Sequence, residues 1–267
     1  MQIFGYIASV LIGISLGLVG SGGSILTVPV LVYLMNINPL LATTSSLFIV
    51  GATSLVGGLR AYSKKIIDFK AVTEFGIPSI FSIFITRHYI LPALPSYFFN
   101  IGDILVSKEM FLMIVFAVLM LAASFSMIRG KSIEPKPGIS EMERQNKALP
   151  LVILGLGIGV ITGLLGAGGG FLIIPALVIF LKLPMKTAIG TSLLIIAINS
   201  LLGFLFSLKQ FDYNWPVLIS FTAMATAGLF IGSKLSEKIA GSSLKKGFGW
   251  FVLAMGIFII VKELAIK

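Results

Sequence analysis

Two apolar regions of this chain, residues 3–35 and 149–181, are each about 33 residues long, too long for one straight membrane span. At 1.5 Å per residue each would form roughly 50 Å of helix, against a hydrocarbon core of about 30 Å. A glycine cluster interrupts each near its middle: Gly20-Ser21-Gly22-Gly23-Ser24 in the first and Gly166-Ala167-Gly168-Gly169-Gly170 in the second. Consecutive glycines free the backbone to leave the helix, so each region reads as two helical pieces joined by a break. Six further stretches, residues 40–60, 71–92, 109–128, 187–208, 215–235 and 247–263, have the roughly 20 apolar residues of an ordinary span. The runs are continuous rather than alternating, which excludes a membrane β-barrel and predicts an all-α polytopic membrane protein.

Composition narrows the function classes. With 57% apolar and only 11% charged residues the chain is far from a soluble domain. Its formal charge of +10 does not indicate nucleic acid, because the 20 basic residues are scattered between apolar stretches. The absence of cysteine removes thiol chemistry and thiolate metal sites, and one histidine argues against imidazole-rich metal or haem sites. No cofactor and no metal are expected. Met1 and Gln2 offer no basic leader, so the first apolar segment is expected to be retained.

The two broken regions are copies of one another. An offset of 146 places Gly17-Leu18-Val19-Gly20-Ser21-Gly22-Gly23 on Gly163-Leu164-Leu165-Gly166-Ala167-Gly168-Gly169, Pro29 on Pro175, and Ser46-Leu47 on Ser192-Leu193. The chain thus divides into an N-terminal repeat, 1–128, a hydrophilic linker, 129–148, and a C-terminal repeat, 149–267. Lys and Arg accumulate in cytoplasmic loops, which lets the loop charges choose between topologies. If each broken region crosses once, the 19 loop bases split 12 to 7; if each is a hairpin returning to its own side, they split 15 to 4. The hairpin topology is therefore expected, with the linker cytoplasmic and both termini outside. Each repeat is then a re-entrant hairpin plus three spans, and the odd number of reversals inverts the second copy, the plan of many secondary transporters.

Inverted hairpins bring the two glycine tips together near the bilayer centre, where irregular backbone requires a covering of protein or water. Helix N-termini at the tips would direct N–H groups and positive dipole ends inward, a setting for a small oxyanion. The candidate binding residues are accordingly Gly20, Ser21, Gly22, Gly23 and Ser24 with Gly166, Ala167, Gly168, Gly169 and Gly170. Neutral donors on the following spans, Ser45, Ser46, Thr191, Ser192 and Asn199, complete the candidate set. The competing account of such hydroxyls is a bond to a carbonyl of their own helix. Gly13, Gly17, Gly159 and Gly163 fit the small-residue pattern of close helix packing instead. Arg87 and His88 fall about a turn from the outer end of their span, where Arg87 reads as an interfacial arginine reaching for headgroups ahead of its alternative, a charge that attracts anions at the outer mouth, and Tyr213 and Trp215 read as interface anchors.

The doubled motif of Gly17 to Pro29 and Gly163 to Pro175, followed by Ala188-Ile189-Gly190-Thr191-Ser192-Leu193, resembles the TauE/SafE family of sulfite and organosulfonate exporters. The resemblance covers essentially the whole chain. It implies a multi-pass inner-membrane permease, not an enzyme, that exports sulfite, sulfoacetate or related organosulfonates by alternating access. The partners it implies are a small anion, the lipid bilayer, a coupling ion (Na+ or H+) and a second copy of the chain as a homodimer. The first repeat departs from the pattern, with Thr44-Ser45-Ser46 where the second has Gly190-Thr191-Ser192. A passive anion channel or uniporter, or a permease for another small anion, remains an alternative. An intramembrane enzyme finds no His/Asp/Ser constellation to use, and a scaffold gains nothing from the duplicated breaks.

Overall fold

The computed structural model describes residues 2–20, 23–101, 104–129, 148–166, 168–236 and 241–265. Helix α1, Gln2–Val19, ends at Gly20, whose φ of +79° is a left-handed value open to glycine at no steric cost. Helix α2, Ser24–Pro29, runs directly into a π-helical turn, Val30–Leu34. Proline has no N–H to give to the helix ladder, and the wider turn follows at once after Pro29. The first 33-residue region is thus two helical pieces around a glycine break, as its length requires.

Helix α3, Pro39–Ser63, starts with proline at its first position and with the Asn38 side chain accepting from the Leu40 amide at 2.9 Å. Helix α4, Phe69–Ile85, is capped by Asp68, whose carboxylate accepts from the Ala71 amide at 2.9 Å. It continues through a second π-helical turn, Thr86–Ile90, into the short α5, Leu91–Ala93. A β-hairpin of Tyr97–Ile101 (β1) and Ile104–Ser107 (β2) then precedes helix α6, Lys108–Arg129. The hairpin is absent from the sequence expectation. It is a local connection too short to alter the helical class of the fold.

In the second half, α7, Ala148–Leu165, breaks at Gly166, Gly168 and Gly169, all left-handed with φ of +66° to +67°. Helix α8, Gly170–Leu181, follows, then α9, Met185–Ser207, α10, Trp215–Leu235, and α11, Gly241–Ala265. Both broken regions finish in a left-handed residue, Asn36 (φ 54°) and Lys182 (φ 51°), positions related by the offset of 146. The linker 130–147 lies outside the described residues.

The main helix pairs all join one half to the other. Helix α1 lies on α10, α7 on α4, α3 on α9, and α6 on α11. Each half therefore lends its first helix to the fourth long segment of the other. Lipid offers no hydrophobic drive between helices, so close backbone approach through small residues takes that role. A Cβ at Gly13 would overlap the Ala225 carbonyl and one at Gly17 the Leu229 carbonyl, while Gly228 and Gly232 present their bare faces to Val10 and Ile14. In the α7–α4 pair, Gly159 abuts the Ser79 backbone and Gly163 the Thr86 side chain. These glycines serve packing.

The protein is an all-α polytopic membrane protein. Among the described residues five helices are long and apolar enough to cross a membrane: Pro39–Ser63, Phe69–Ala93, Lys108–Phe125, Met185–Ser207 and Trp215–Leu235. Burial sorts them: α3 and α9 form the centre, at 67% and 61% buried, against 33% for α10. The outward surface carries large apolar side chains such as Phe4, Ile77, Phe81, Ile153, Phe230 and Trp250. The buried interior instead gathers hydroxyls along α3 and α9, a polar centre inside an apolar rim.

Candidate functional site

Each glycine tip rests on the first turns of the central helix of the opposite half. A Cβ on Gly20 would overlap the Ile189 side chain, and one on Gly166 the Thr43 carbonyl. Thr43 and Ile189 are themselves related by the offset of 146. Gly23, Ser24, Gly168, Gly169 and Gly170 are buried with them. Gly23 is right-handed (φ −64°), unlike Gly169, and presses on the backbone of α1 at Ile12. Ser21, Gly22 and Ala167, also expected at the tips, lie outside the described residues.

Gly168 reaches deepest. A Cβ there would stand 2.8 Å from Val50 Cγ1, 3.1 Å from Ser200 Oγ and 3.2 Å from Ile196 Cγ2. It therefore touches both central helices where they cross. That crossing is antiparallel, with Gly51 beside Leu201 and Gly58 beside Leu194. Thr53 and Ser54 of α3 and Asn199 and Ser200 of α9 occupy the crossing stretch, and the offset of 146 relates Thr53 to Asn199 and Ser54 to Ser200. All four are fully buried.

Their hydrogen bonding is incomplete. The hydroxyls of Thr53, Ser54 and Ser200 and Oδ1 of Asn199 have no protein partner among the described residues. Asn199 donates through Nδ2 to Ser79 Oγ at 2.7 Å, and Ser79 donates onward to the Gly76 carbonyl at 2.9 Å. Each buried polar group left unpaired costs about 1–3 kcal/mol. A purely structural crossing would use alanine or valine at these positions. The three unsatisfied hydroxyls, with Ser200 against the Gly168 tip, form a polar waist suited to a ligand that accepts hydrogen bonds, while Oδ1 of Asn199 can only accept.

The remaining candidates separate into engaged and open groups. Thr191 accepts from the Asp68 amide at 2.9 Å, pinning the turn before α4 to the second half. Ser192 donates to the Ile189 carbonyl at 2.9 Å within its own helix. Its repeat equivalent Ser46 is fully buried with no partner among the described residues, and Ser45 beside it is buried too. Thr53 and Ser54 were missed in the sequence, whereas Ser200 stands out there beside Asn199 as a small polar residue on its span. Their signal was available, since hydroxyls spaced along two apolar spans at matched repeat positions are costly unless used.

Arg87 requires a correction. Its side chain does not reach out to headgroups: its exposure is 0%, and it is the largest fully buried side chain among the described residues. It sits in the π-helical turn Thr86–Ile90, where the extra residue per turn changes the direction in which following side chains project. Its Nη1 donates to Thr44 Oγ1 at 2.9 Å. Tyr213 is likewise more than an interface anchor, because its hydroxyl donates to the Ser207 carbonyl at 3.1 Å and its ring packs against Phe204 and Trp215. Burial pushes the Tyr213 phenol up to about 12, against the opposing pull of Arg87 and Thr44, so it stays a neutral hydroxyl at ordinary pH. His88 is exposed and stacks on Phe84.

A multi-pass helical membrane protein with glycine-broken helices meeting at a polar waist has the construction of a membrane transporter. Residues 6–259 match the sulfite exporter TauE/SafE family, and the chain belongs to that family. A protein of Xylella fastidiosa (strain Temecula1) described as a probable membrane transporter protein is 28% identical, over 96% of this chain and 93% of its own. Another so described, from Methanocaldococcus jannaschii, is 25% identical over 96% of this chain and 94% of its own. A third, from Bacillus subtilis, is 24% identical over 93% and 96%. No solved structure matches the chain.

Proposed function

We propose that this protein is a secondary transporter that exports small sulfur-containing anions, sulfite or an organosulfonate such as sulfoacetate, by alternating access. One observation carries the reading: the glycine tip at Gly168 seated against a waist of buried, unsatisfied hydroxyls from both halves of the chain. Neutral donors fit a cargo that must be released as well as bound, because a hydroxyl holds an anion without a permanent opposite charge. The family supports the sulfur-oxyanion class. The reciprocal pairing of α1 with α10 and α7 with α4 supports two repeats related by inversion. Rocking one half against the other would then expose the waist to each side in turn. The loop charges support a cytoplasmic linker, external termini and an inner-membrane location.

Flux in proteoliposomes tests this. Saturable uptake of sulfite or sulfoacetate, with counterflow when unlabelled substrate is placed on the opposite face, is the expected outcome. Linear, non-saturable passage would indicate a passive pore, and no flux of either anion by correctly inserted protein would remove the substrate assignment.

A further inference from the structure

Arg87 is a full positive charge held wholly inside the protein. No carboxylate pairs with it among the described residues: Nη1 donates to Thr44, while Nε and Nη2 have no partner. Tyr213, the other side chain interacting with it, is a neutral phenol. Gln210 reaches only the Arg87 carbonyl, at 3.5 Å. An isolated buried ion costs several kcal/mol in a protein interior, so a chain that keeps one has a use for it.

The geometry of what is left open is specific. Thr44 engages one terminal nitrogen and thereby holds the guanidinium plane in place. Nε and Nη2 form the side edge of that plane, two parallel donors spaced for two oxygens of one planar or tetrahedral oxyanion. The position is also confined to one half. The offset of 146 relates Arg87 to Ser233 and Thr44 to Gly190, so neither the charge nor the hydroxyl that orients it is repeated. Ser233 instead accepts from Arg60 Nη1.

We propose that the Nε/Nη2 edge of Arg87 is a buried receptor for a single oxyanion, binding two oxygens of a sulfonate, sulfite or carboxylate. This rests on the transporter reading only in assigning that oxyanion as cargo on its way to or from the waist. The binding site itself stands on the unpaired cation. A point anion such as chloride can neutralise the charge but has no pair of oxygens to match the two parallel donors.

The test uses the full chain purified in detergent, with its thermal midpoint followed as sulfite or ethanesulfonate replaces chloride at constant ionic strength. The wild type is expected to show a saturable rise with either oxyanion. Arg87→Gln, which keeps two donors but no charge, is expected to bind at least tenfold more weakly; Arg87→Lys, which keeps charge without the fork, is expected to fall between. Equal responses of wild type and Arg87→Gln, or no response of wild type to oxyanion over chloride, would overturn the proposal. Should Arg87→Gln fail to elute as a folded species, Arg87→Lys and Thr44→Val carry the same comparison, and oxyanion responses equal to wild type in both would overturn it. Liposome flux separates the two readings. Arg87-dependent binding without flux sinks the transporter assignment alone, and unchanged binding and flux in Arg87→Gln sinks the receptor alone.

Discussion

The two glycine tips occupy matching places in the chain but rest against different kinds of obstacle. Gly166 faces the Thr43 carbonyl, part of the α3 backbone, whereas Gly20 faces the branched base of the Ile189 side chain, Cγ2 foremost. A side chain can rotate away from an intruding methyl group and a helix carbonyl cannot. The second tip also holds three glycines in left-handed conformation, while Gly23 of the first tip is an ordinary right-handed residue. The two tips thus differ in tolerance position by position: at Gly20/Gly166 the second is the more tightly held, while at Gly23/Gly169 the first is, because Gly23 meets the Ile12 carbonyl and Gly169 the Thr162 side chain.

The largest effect expected from this difference is at Gly166. Gly166→Ala combines left-handed strain of about 1–3 kcal/mol with a backbone overlap, and should leave little folded protein in detergent. Gly20→Ala carries similar strain against a movable neighbour. It should yield folded protein with a lowered thermal midpoint, partly restored by Ile189→Ala. Equal losses at both positions would erase the distinction between the tips. Next in size is the paired comparison at the waist. Asn199→Leu removes the donor to Ser79 and should cost about 1–3 kcal/mol of stability. Thr53→Val, at the equivalent place in the first repeat, replaces an unsatisfied hydroxyl by a methyl and should leave the thermal midpoint equal or higher while lowering anion flux. A Thr53→Val protein with wild-type flux would remove that hydroxyl from the binding site. The smallest effect is expected at Gly157, where a Cβ meets nothing within 4 Å. Gly157→Ala should be neutral or stabilising by up to about 1 kcal/mol, in contrast to Gly159→Ala two residues on, which drives a methyl into the Ser79 backbone.

The halves differ again in what their shared scaffold carries. At one end Arg87 leans on Thr44, both from the first half, and at the equivalent positions stand Ser233 and Gly190. A transporter has a reason for such inequality, since a symmetric pathway would hold its cargo equally well toward either face.

Much of this was legible before any coordinates. The length of the two apolar regions forced a break, the glycines located it, and the offset of 146 tied Gly20 to Gly166. Helix ends followed local rules, as Asn38, Asp68 and Asn214 all cap the helices they precede. The hairpin of 97–107 was not legible, because Tyr97–Ile101 and Ile104–Ser107 are short apolar runs whose periodicity does not separate strand from loop. Arg87 was misplaced for a more instructive reason. Counting residues from the end of a span assumes a regular helix, and the π-helical turn Thr86–Ile90 violates that assumption where the arginine sits. Thr191 and Ser192 look alike in sequence, and only the approach of Asp68 distinguishes the one that joins the halves from the one that bonds its own helix.

The exchange of first helices has a bearing on how the protein is made. The α1 surface around Gly13 and Gly17 is complemented by Ala225 and Leu229, which leave the ribosome well after it, once the whole intervening chain has been made. Until then α1 lacks the partner that covers its glycine face. Assembly is therefore post-insertional, and a chain interrupted anywhere before α10 presents the cell with an orphan helix, a ready mark for membrane quality control.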